Sequence, residues 1–349
     1  MKNKIVELIA ANVEGLTAAE IADLIEIPPK PELGDFAFPC FRLAKTMRKA
    51  PQMIANDIKE AIGDVDFLQE IQVQGAYLNF FVKKELFIET MVTASMADDF
   101  GSSTEGNGQT ICIDYSSPNV AKNFHVGHLR TTIIGNSLYK IYSKLGYKVV
   151  RINHLGDWGT QFGKLIVAYK AWGSEEAVKK DGVAELMKLY VKFHEEAEKN
   201  PELNDEARAW FAKMEHGDEE ALKIWQWFKD ISLIEYKRTY DLLGMDFDYY
   251  LGESFYRDKT DDVVKRLTDA NLLTESEGAK IVNLDAYDMA PCLILKNDGS
   301  SIYATRDIAA IFYRKETYNF VKCLYVTGQE QKLHFAQVFK VVELLGNDW

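Results

Sequence analysis

The spacing of apolar residues changes along this chain, and each change predicts a new element. Residues 111–115 (ICIDY) are short, apolar and rich in β-branched side chains, which predicts a buried strand. From Gly127 to Leu145 apolar residues recur three and four positions apart, which predicts a helix. Residues 148–153 (KVVRIN) predict a second strand, so this region forms a βαβ unit with a parallel strand pair.

The residues before this unit have a different organisation. Helical patterns flank a proline cluster at positions 28–31, and residues 71–82 alternate at first and turn at positions 75–76, as in a β-hairpin. Residues 101–108 (GSSTEGNG) are small and polar, which is typical of a linker. We therefore predict a small α+β domain over residues 1–105 and a second domain over residues 106–349.

Charged helical segments interrupt the second domain. Ile224, Phe228 and Ile231 are spaced four and three apart, and Gly244 is suited to end the last helix. The pattern predicts a helical insertion over about residues 171–250. Further elements follow it: strands at residues 280–284, 293–296 and 323–327, a helix after Thr305 and another from about Leu333. An α/β sheet that ends after a helix predicts that the natural protein continues past Trp349.

Composition restricts the class of protein. With 349 residues, of which 47% are hydrophobic and 27% charged, the chain is typical of a soluble globular protein with two domains, or one domain with a large insertion. It has no run of 18 apolar residues, and its amphipathic N-terminal pattern contains an acidic residue, unlike a secretory signal. The scattered cysteines fit a reducing compartment. We expect a cytoplasmic protein without membrane contact.

The net charge of −12 argues against indiscriminate nucleic-acid binding through bulk charge. It leaves room for a local basic groove on an acidic body. Charge alone therefore does not decide whether a nucleic acid is a partner.

The sequence HVGH at residues 125–128 is the main candidate for chemistry. His125 and His128 fall where the first predicted strand gives way to the helix, and a helix N-terminus attracts anions through its unpaired N–H groups. A phosphate is the natural ligand. Two alternatives stay open, namely ordinary first-turn residues and a pair of metal ligands. The metal alternative lacks an HExxH motif or closely paired cysteines, so we expect no metal site.

Four motifs together resemble one family. Residues 116–135 (SSPNVAKNFHVGHLRTTIIG) resemble the "HIGH" region of class I aminoacyl-tRNA synthetases. The residues on either side of HVGH are similar to those of arginyl-tRNA synthetases. The same family is indicated, in the expected order, by NHLGDWGTQFG at residues 153–163, YATRDIAA at 303–310 and YVTGQEQKLHFAQ at 325–337. A GDFAFP stretch at residues 34–39 fits the extra N-terminal domain of this family.

The resemblance implies a Rossmann-like parallel sheet as the catalytic domain, in agreement with the βαβ pattern. It also implies a reaction in which the carboxylate of arginine attacks the α-phosphate of ATP, pyrophosphate leaves, and the arginyl group passes to the terminal ribose of tRNA. ATP would enter as its Mg²⁺ complex, with no tightly bound cofactor. The implied partners are arginine, ATP and tRNA(Arg), and the implied state is a monomer. Such chemistry depends on positioning and on charge stabilisation.

The resemblance also assigns residues to the phosphate chemistry. It implies that His125, Gly127 and His128 bind ATP and that His125, His128 and Lys122 are catalytic. From the sequence alone, a solvated loop lysine is the simpler interpretation of Lys122. The later KMSKS-like segment and the helical anticodon-binding domain of the family do not occur before Trp349, so we expect a fragment comprising the N-terminal and catalytic domains.

Capture of arginine has its own requirements. A guanidinium is planar and permanently charged, so its selective binding needs carboxylates and carbonyls around a fork of N–H donors. Tyr303 and Asp307 are four apart and face the same way on a helix, although an Asp in a first turn is more often a helix-dipole partner. By resemblance, the residues that contact arginine are Asp114, Ser117, Asn119, His128, Tyr303, Asp307 and Gln331. The polar loop that holds His154, Asp157, Trp158 and Gln161 either borders the site or is structural.

The N-terminal domain is the tRNA-contacting domain of this family. Tyr77, Asn79 and Phe81 alternate on the second hairpin strand and could read single-stranded bases by stacking and edge contacts, although aromatic residues in a strand are more often core. Two rival functions remain. One is an HxGH-type nucleotidylyltransferase, which would not need Tyr303 or Asp307. The other is a synthetase-like RNA-binding or regulatory protein without catalysis.

Overall fold

The chain divides into two units, Met1–Gly101 and Ser102–Trp349, in the computed structural model, which describes all residues from 1 to 349. None of its helices combines the length and the apolar character that crossing a membrane requires.

The first unit is an α+β domain, as predicted. Its three strands pair antiparallel in the order β1–β3–β2, and Gly75, with a φ of 59°, forms the predicted turn between β2 and β3. Its core includes Ile5, Phe38, Ile54 and Phe80. The elements are α1 (Lys2–Ala10), α2 (Ala18–Leu24), β1 (Phe36–Pro39), α3 (Ala44–Met47), α4 (Pro51–Ile62), β2 (Leu68–Gln74), β3 (Tyr77–Val82) and α5 (Lys84–Ser95).

A four-stranded parallel sheet forms the centre of the second unit, which confirms the predicted Rossmann-like architecture. The strand order is β10–β4–β5–β6, and Asp114 at the end of β4 pairs in register with Tyr325 and Ile152. The predicted strand, helix and strand of the βαβ unit are present with ends shifted by one residue at most. The strands are β4 (Thr110–Asp114), β5 (Lys148–Asn153), β6 (Tyr249–Tyr250) and β10 (Lys322–Tyr325), with helix α6 (Val126–Lys144) between β4 and β5.

The predicted insertion, about residues 171–250, is mostly helical and lies within a run of helices between β5 and β6. The first helix begins at Thr160, and the last ends at Leu242, just before Gly244, which has a φ of 62°. Residues 249–250 form strand β6 of the parallel sheet, because Asp248 binds Arg151 on β5 and carries the chain to its edge. The helices are α7 (Thr160–Trp172), α8 (Glu175–Asp181), α9 (Val183–Lys199), α10 (Glu202–Glu215) and α11 (Glu219–Leu242).

The strands predicted near residues 280 and 293 lie outside the parallel sheet. They form a separate antiparallel sheet of order β7–β8–β9, packed with α13, α14 and α15 around Ile294 and Ile308. These elements are α12 (Glu253–Tyr256), α13 (Thr260–Asp269), β7 (Leu273–Ser276), β8 (Ala279–Val282), β9 (Cys292–Leu295), α14 (Tyr303–Tyr318) and α15 (Lys332–Leu344).

Helix α6 is buried on a face that its apolar spacing does not predict. Its fully buried residues are small or polar, namely Thr132, Gly135 and Asn136, and Leu138 and Tyr142 pack beside them only partly buried. A Cβ at Gly135 would lie 2.2 Å from the ring of Tyr115, so the close packing of helix on strand requires glycine there. Three residues of the predicted apolar stripe are exposed: Ile133, Ile134 and Ile141.

The predicted linker is partly ordered by the second unit. The backbone N–H groups of Ser103, Gly106 and Gly108 donate to the carbonyls of Lys144, Leu145 and Gly146 at the end of α6, at 2.7 to 3.0 Å. The division between the two units therefore falls at Gly101, within the predicted linker rather than at residue 105.

Candidate active site

Two histidines cap the start of helix α6. His125 is the N-cap residue, and its Nδ1 accepts the Gly127 N–H at 3.1 Å. The Nδ1 of His128 accepts the His125 N–H at 3.3 Å, and the two rings stack with centroids 3.9 Å apart. Because each Nδ1 is an acceptor, each neutral ring carries its proton on Nε2. Both Nε2 atoms are therefore donors at the positive end of a helix.

The charge state of His128 follows from its surroundings. Burial lowers its pKa to about 4, with smaller contributions from His125 and Lys122. The ring is therefore neutral at neutral pH and keeps Nδ1 as an acceptor. It is suited to donating a hydrogen bond to a phosphate rather than to supplying a full positive charge.

A strained turn carries the chain from β4 to these histidines. Ser116, Ser117 and Ala121 have φ values of 73°, 48° and 60°. Such left-handed conformations cost roughly 1–3 kcal/mol each outside glycine and persist only where neighbours hold them. The turn therefore depends on the residues packed against it.

Helix α11 of the insertion holds this turn in place. The hydroxyl of Tyr240 lies 2.7 Å from Ser116 Oγ, and the hydroxyl of Tyr236 is bonded to the carbonyl oxygens of Asn119 and Lys122 at 2.6 and 2.7 Å. Both tyrosine side chains are buried. The insertion thus positions the segment that bears several predicted site residues.

Asp114 ends strand β4 as a buried carboxylate with protein partners on both oxygens. Its Oδ1 accepts from Ser117 Oγ at 2.9 Å, and its Oδ2 accepts from Arg314 Nη2 at 2.7 Å. Arg314 has no exposed surface. Burial alone would lower the pKa of Arg314, but the Asp114 carboxylate, Tyr325 and Tyr256 hold it well above its usual value. Asp114 is thus engaged in a buried ion pair.

Asp307 lies one turn into α14 and is flanked by two histidines. His334 Nε2 donates to Asp307 Oδ2 at 2.6 Å, and His154 Nε2 lies 3.8 Å from Oδ1. The ring of His334 also packs edge-on against Tyr303, with centroids 4.9 Å apart. A carboxylate, two imidazoles and an exposed phenol therefore meet at one place.

These groups line one open cleft of about 990 Å³. It brings together the predicted residues Asp114, Ser117, Asn119, His125, Gly127, His128, Tyr303, Asp307 and Gln331. No group of three or more His, Cys, Asp or Glu side chains is arranged to hold a metal ion. The cleft offers phosphate-binding donors on one side and a carboxylate on the other.

Lys122 lies in a neighbouring cleft of about 770 Å³. Both clefts are bordered by Asn119, Tyr303 and His334. The catalytic assignment of Lys122 stays a prediction, since its side chain does not line the cleft that holds the two histidines.

Two family profiles match the chain, one mainly over each of its two units. The profile described as "tRNA synthetases class I (R), catalytic domain" matches residues 91–348, and "Arginyl tRNA synthetase N terminal domain" matches residues 3–82. The chain belongs to the arginyl-tRNA synthetase family. The resemblance seen in the four motifs is thereby confirmed.

Curated relatives carry the name of this family, and solved structures share its fold. The chain is 57% identical to the arginine–tRNA ligases of Alkaliphilus metalliredigens and Clostridium perfringens over its whole length and 62% of theirs. The arginyl-tRNA synthetase of Plasmodium falciparum has the same fold, with a TM-score of 0.70 and 24% identity over 99% of this chain and 62% of that one. That of Thermus thermophilus superposes with a TM-score of 0.59 at 23% identity, over 90% and 53%. The chain thus spans about 62% of the length of the curated relatives named here.

Three residues in or beside the main cleft were not predicted as site residues: Arg314, His334 and Glu253. Arg314 lies on the same face of α14 as Tyr303 and Asp307, eleven and seven positions later, and this helical spacing was the available signal. His334 follows the predicted Gln331 by three residues. Glu253 lines the cleft from α12, accepts from Arg306 Nη2 at 2.9 Å, and carried no local signal.

The polar loop after β5 has mixed roles. His154 borders the main cleft, whereas Trp158 and Gln161 line the neighbouring one. Asp157 is fully buried and accepts from the Ser254 N–H, the Ser254 hydroxyl and Lys229. Asp157 is therefore a structural residue that ties this loop to α12 and α11.

The predicted tRNA-contacting residues lie on β3, the central strand of the N-terminal sheet. Tyr77 is exposed and packs edge-on against Phe41, and Phe81 is partly buried. Asn79 is 4% exposed, and its Nδ2 donates to Gln74 Oε1 at 3.5 Å. The tRNA contact stays a prediction, with Tyr77 as its most accessible member.

Proposed function

We propose that the protein containing this chain is an arginine–tRNA ligase, which uses ATP to convert arginine into arginyl-adenylate and then transfers the arginyl group to tRNA(Arg). One observation carries the proposal: a single cleft combines the Nε2 donors of His125 and His128 with the carboxylate of Asp307. Membership in the family supports it. No observation favours a nucleotidylyltransferase or a synthetase-like protein without catalysis.

The side chain of arginine would bind at α14. Asp307 would pair with the guanidinium charge and Tyr303 would pack against its plane or its N–H edge. Glu253 adds a second carboxylate to this side of the cleft. Burial raises the pKa of Glu253, with Arg306 opposing, and an incoming guanidinium would favour its charged form. Ser117, Asn119 and Gln331 line the remainder of the cleft, where the α-amino and carboxylate groups would bind.

The phosphates of ATP would bind at the start of α6. His125, Gly127 and His128 would bind them, and developing negative charge at the α-phosphate would meet the two preorganised Nε2–H donors. Lys122 would approach from the neighbouring cleft. Mg²⁺ is expected to arrive with ATP as part of the substrate.

The N-terminal unit is proposed to contact tRNA, and the protein is proposed to act in the cytoplasm. The N-terminal unit, through Tyr77 and its strand neighbours, would contact the tRNA. The buried free cysteines Cys40, Cys112 and Cys292 fit action in the reducing cytoplasm.

Charging of tRNA with single amino acids tests the proposed function. The protein should charge tRNA with arginine and reject lysine and citrulline by roughly 10⁴-fold, because a pocket built for a charged planar group leaves polar atoms unpaired with either analogue. Comparable charging with lysine or citrulline, or none with arginine, would contradict the proposal.

A further inference from the structure

We propose that Arg314 and His154 are positioning residues of the arginine pocket, which together fix the direction in which the Asp307 carboxylate faces the substrate. The proposal rests on the function proposed above. Arg314 is wholly buried and does not line the cleft, so it would act on the substrate only through its neighbours.

Arg314 is anchored through one nitrogen of its guanidinium. Its Nη2 donates to Asp114 Oδ2 at 2.7 Å and lies 3.3 Å from His154 Nδ1. Its Nε and Nη1 have no hydrogen-bond partner. The guanidinium is therefore held through Nη2, at the point where the ends of β4 and β5 meet α14.

The contact with Arg314 fixes the tautomer of His154. A guanidinium has only donors, so His154 Nδ1 must accept and the proton of the neutral ring must lie on Nε2. The ring of Tyr256 stacks nearly parallel to that of His154, with centroids 5.5 Å apart and planes at 10°. Arg314 thus selects the tautomer, and Tyr256 fixes the plane of the ring.

The Asp307 carboxylate has a histidine on each of its two oxygens. The protonated Nε2 of His154 faces Oδ1 at 3.8 Å, while His334 Nε2 binds Oδ2 at 2.6 Å. The carboxylate therefore lies between two imidazole N–H groups: His334 binds it by a hydrogen bond, and His154 faces its other oxygen from just beyond hydrogen-bond distance. Paired hydrogen bonds to a guanidinium depend on the plane of the carboxylate, and small errors in placement weaken such a site strongly.

The competing explanation is that Arg314 and Asp114 form only a structural ion pair and that His154 fills space. Substitutions of His154 separate the two, because they leave both ionic partners in place. His154→Phe keeps a ring against Tyr256 but removes both nitrogens, whereas His154→Gln retains one acceptor and one donor. Arg151→Met is the matched control, since it removes another ion pair of β5, with Asp248 at 2.7 Å, outside the cleft.

The experiment is steady-state tRNA charging by the full-length protein, with KM for arginine, KM for ATP and kcat measured separately. His154→Phe should raise the arginine KM about tenfold or more, with kcat and the ATP KM within about threefold of wild type. His154→Gln should recover most of the arginine KM, and Arg151→Met should retain it. If His154→Phe does not fold, His154→Asn replaces it. Its shorter amide cannot span Arg314 and Asp307, so about a fivefold increase is expected.

Two results would overturn the proposal in distinguishable ways. A wild-type arginine KM in the folded variant, or a loss shared equally by kcat and the ATP KM without rescue by glutamine, would refute positioning and leave the proposed function standing. Absence of arginine charging by the wild-type protein would refute the proposed function itself, and the positioning proposal with it.

Discussion

The Nδ1 atom of His128 lies 3.3 Å from the backbone nitrogen of His125 and accepts its N–H, so both histidines take part in the cap of helix α6. One nitrogen of each ring is thereby used in folding, and the other is left for chemistry. Helix capping and phosphate binding can be separated by substitution, because a residue such as Asn caps a helix but is too short to reach a phosphate.

Replacing His125 by Asn or by Ala should separate capping from catalysis. Asn is among the best N-cap residues, whereas Ala costs about 1 kcal/mol at this position. Both variants lose the Nε2 donor, so each should lower arginyl-adenylate formation roughly 10²–10³-fold. Pyrophosphate exchange with tRNA present measures the rate, and urea unfolding measures stability. Near-normal exchange in His125→Asn would reduce the motif to a helix cap.

The lowered pKa of His128 predicts a specific pH dependence. The pKa is about 4 in the folded protein against the usual 6.5 of a histidine, so the folded state binds fewer protons than the unfolded state. This contribution to stability is complete above pH 6.5 and is lost as pH falls towards 4. A ring-proton titration of His128 by NMR should show no midpoint above about pH 5. A midpoint near 6.5 would contradict the burial of this ring.

The local elements were predictable because periodicity is a local property. The βαβ unit and the turn at Gly75 were predicted to within a residue or two. The buried face of α6 was not, since close packing of Gly135 on Tyr115 outweighed the exposed stripe that includes Ile133. Strand β6 has two residues, too few for a pattern, and depends on the distant contact between Asp248 and Arg151.

Removing Arg314 should be costly in a way that depends on Asp114. Arg314→Met leaves a buried carboxylate without its cation and should lower the free energy of unfolding by roughly 3–5 kcal/mol. The double variant with Asp114→Asn removes the uncompensated charge and should recover part of that loss. Chemical denaturation of the two single variants and the double variant measures the coupling. Additive losses would show that the two groups do not act as a pair.

Gly156→Ala should weaken substrate binding more than folding. A Cβ at Gly156 would lie 2.1 Å from Asn119 Oδ1, the end of a side chain that can swing away. Displacing this proposed contact to arginine should raise the arginine KM about tenfold. Gly163→Ala is the contrasting variant, because its Cβ would meet the backbone oxygen of Ala207 at 2.0 Å and should destabilise the fold instead. Equal stability losses in the two variants would contradict this distinction.

The candidate site was predictable where one motif carries the residues, and not where the fold brings distant segments together. His125, His128, Tyr303 and Asp307 follow from their motifs and meet in one cleft. The histidine on either side of Asp307 comes from another element, so no local pattern indicates the contact. Lys122 precedes His125 by only three residues, yet it lines the neighbouring cleft.

Direct binding of arginine to an Asp307→Asn variant shows whether this carboxylate pairs with the guanidinium of the substrate. Calorimetry should give an arginine Kd about 10- to 100-fold weaker than wild type, since a hydrogen bond to a charged group contributes roughly 1.5–3 kcal/mol. Citrulline, which has no charge, should bind both proteins equally weakly. The control is Glu316→Gln, which alters a carboxylate at the far end of α14 that pairs with Arg266, and it should bind arginine as wild type does. An unchanged arginine Kd in folded Asp307→Asn would contradict the assignment of this carboxylate to the guanidinium.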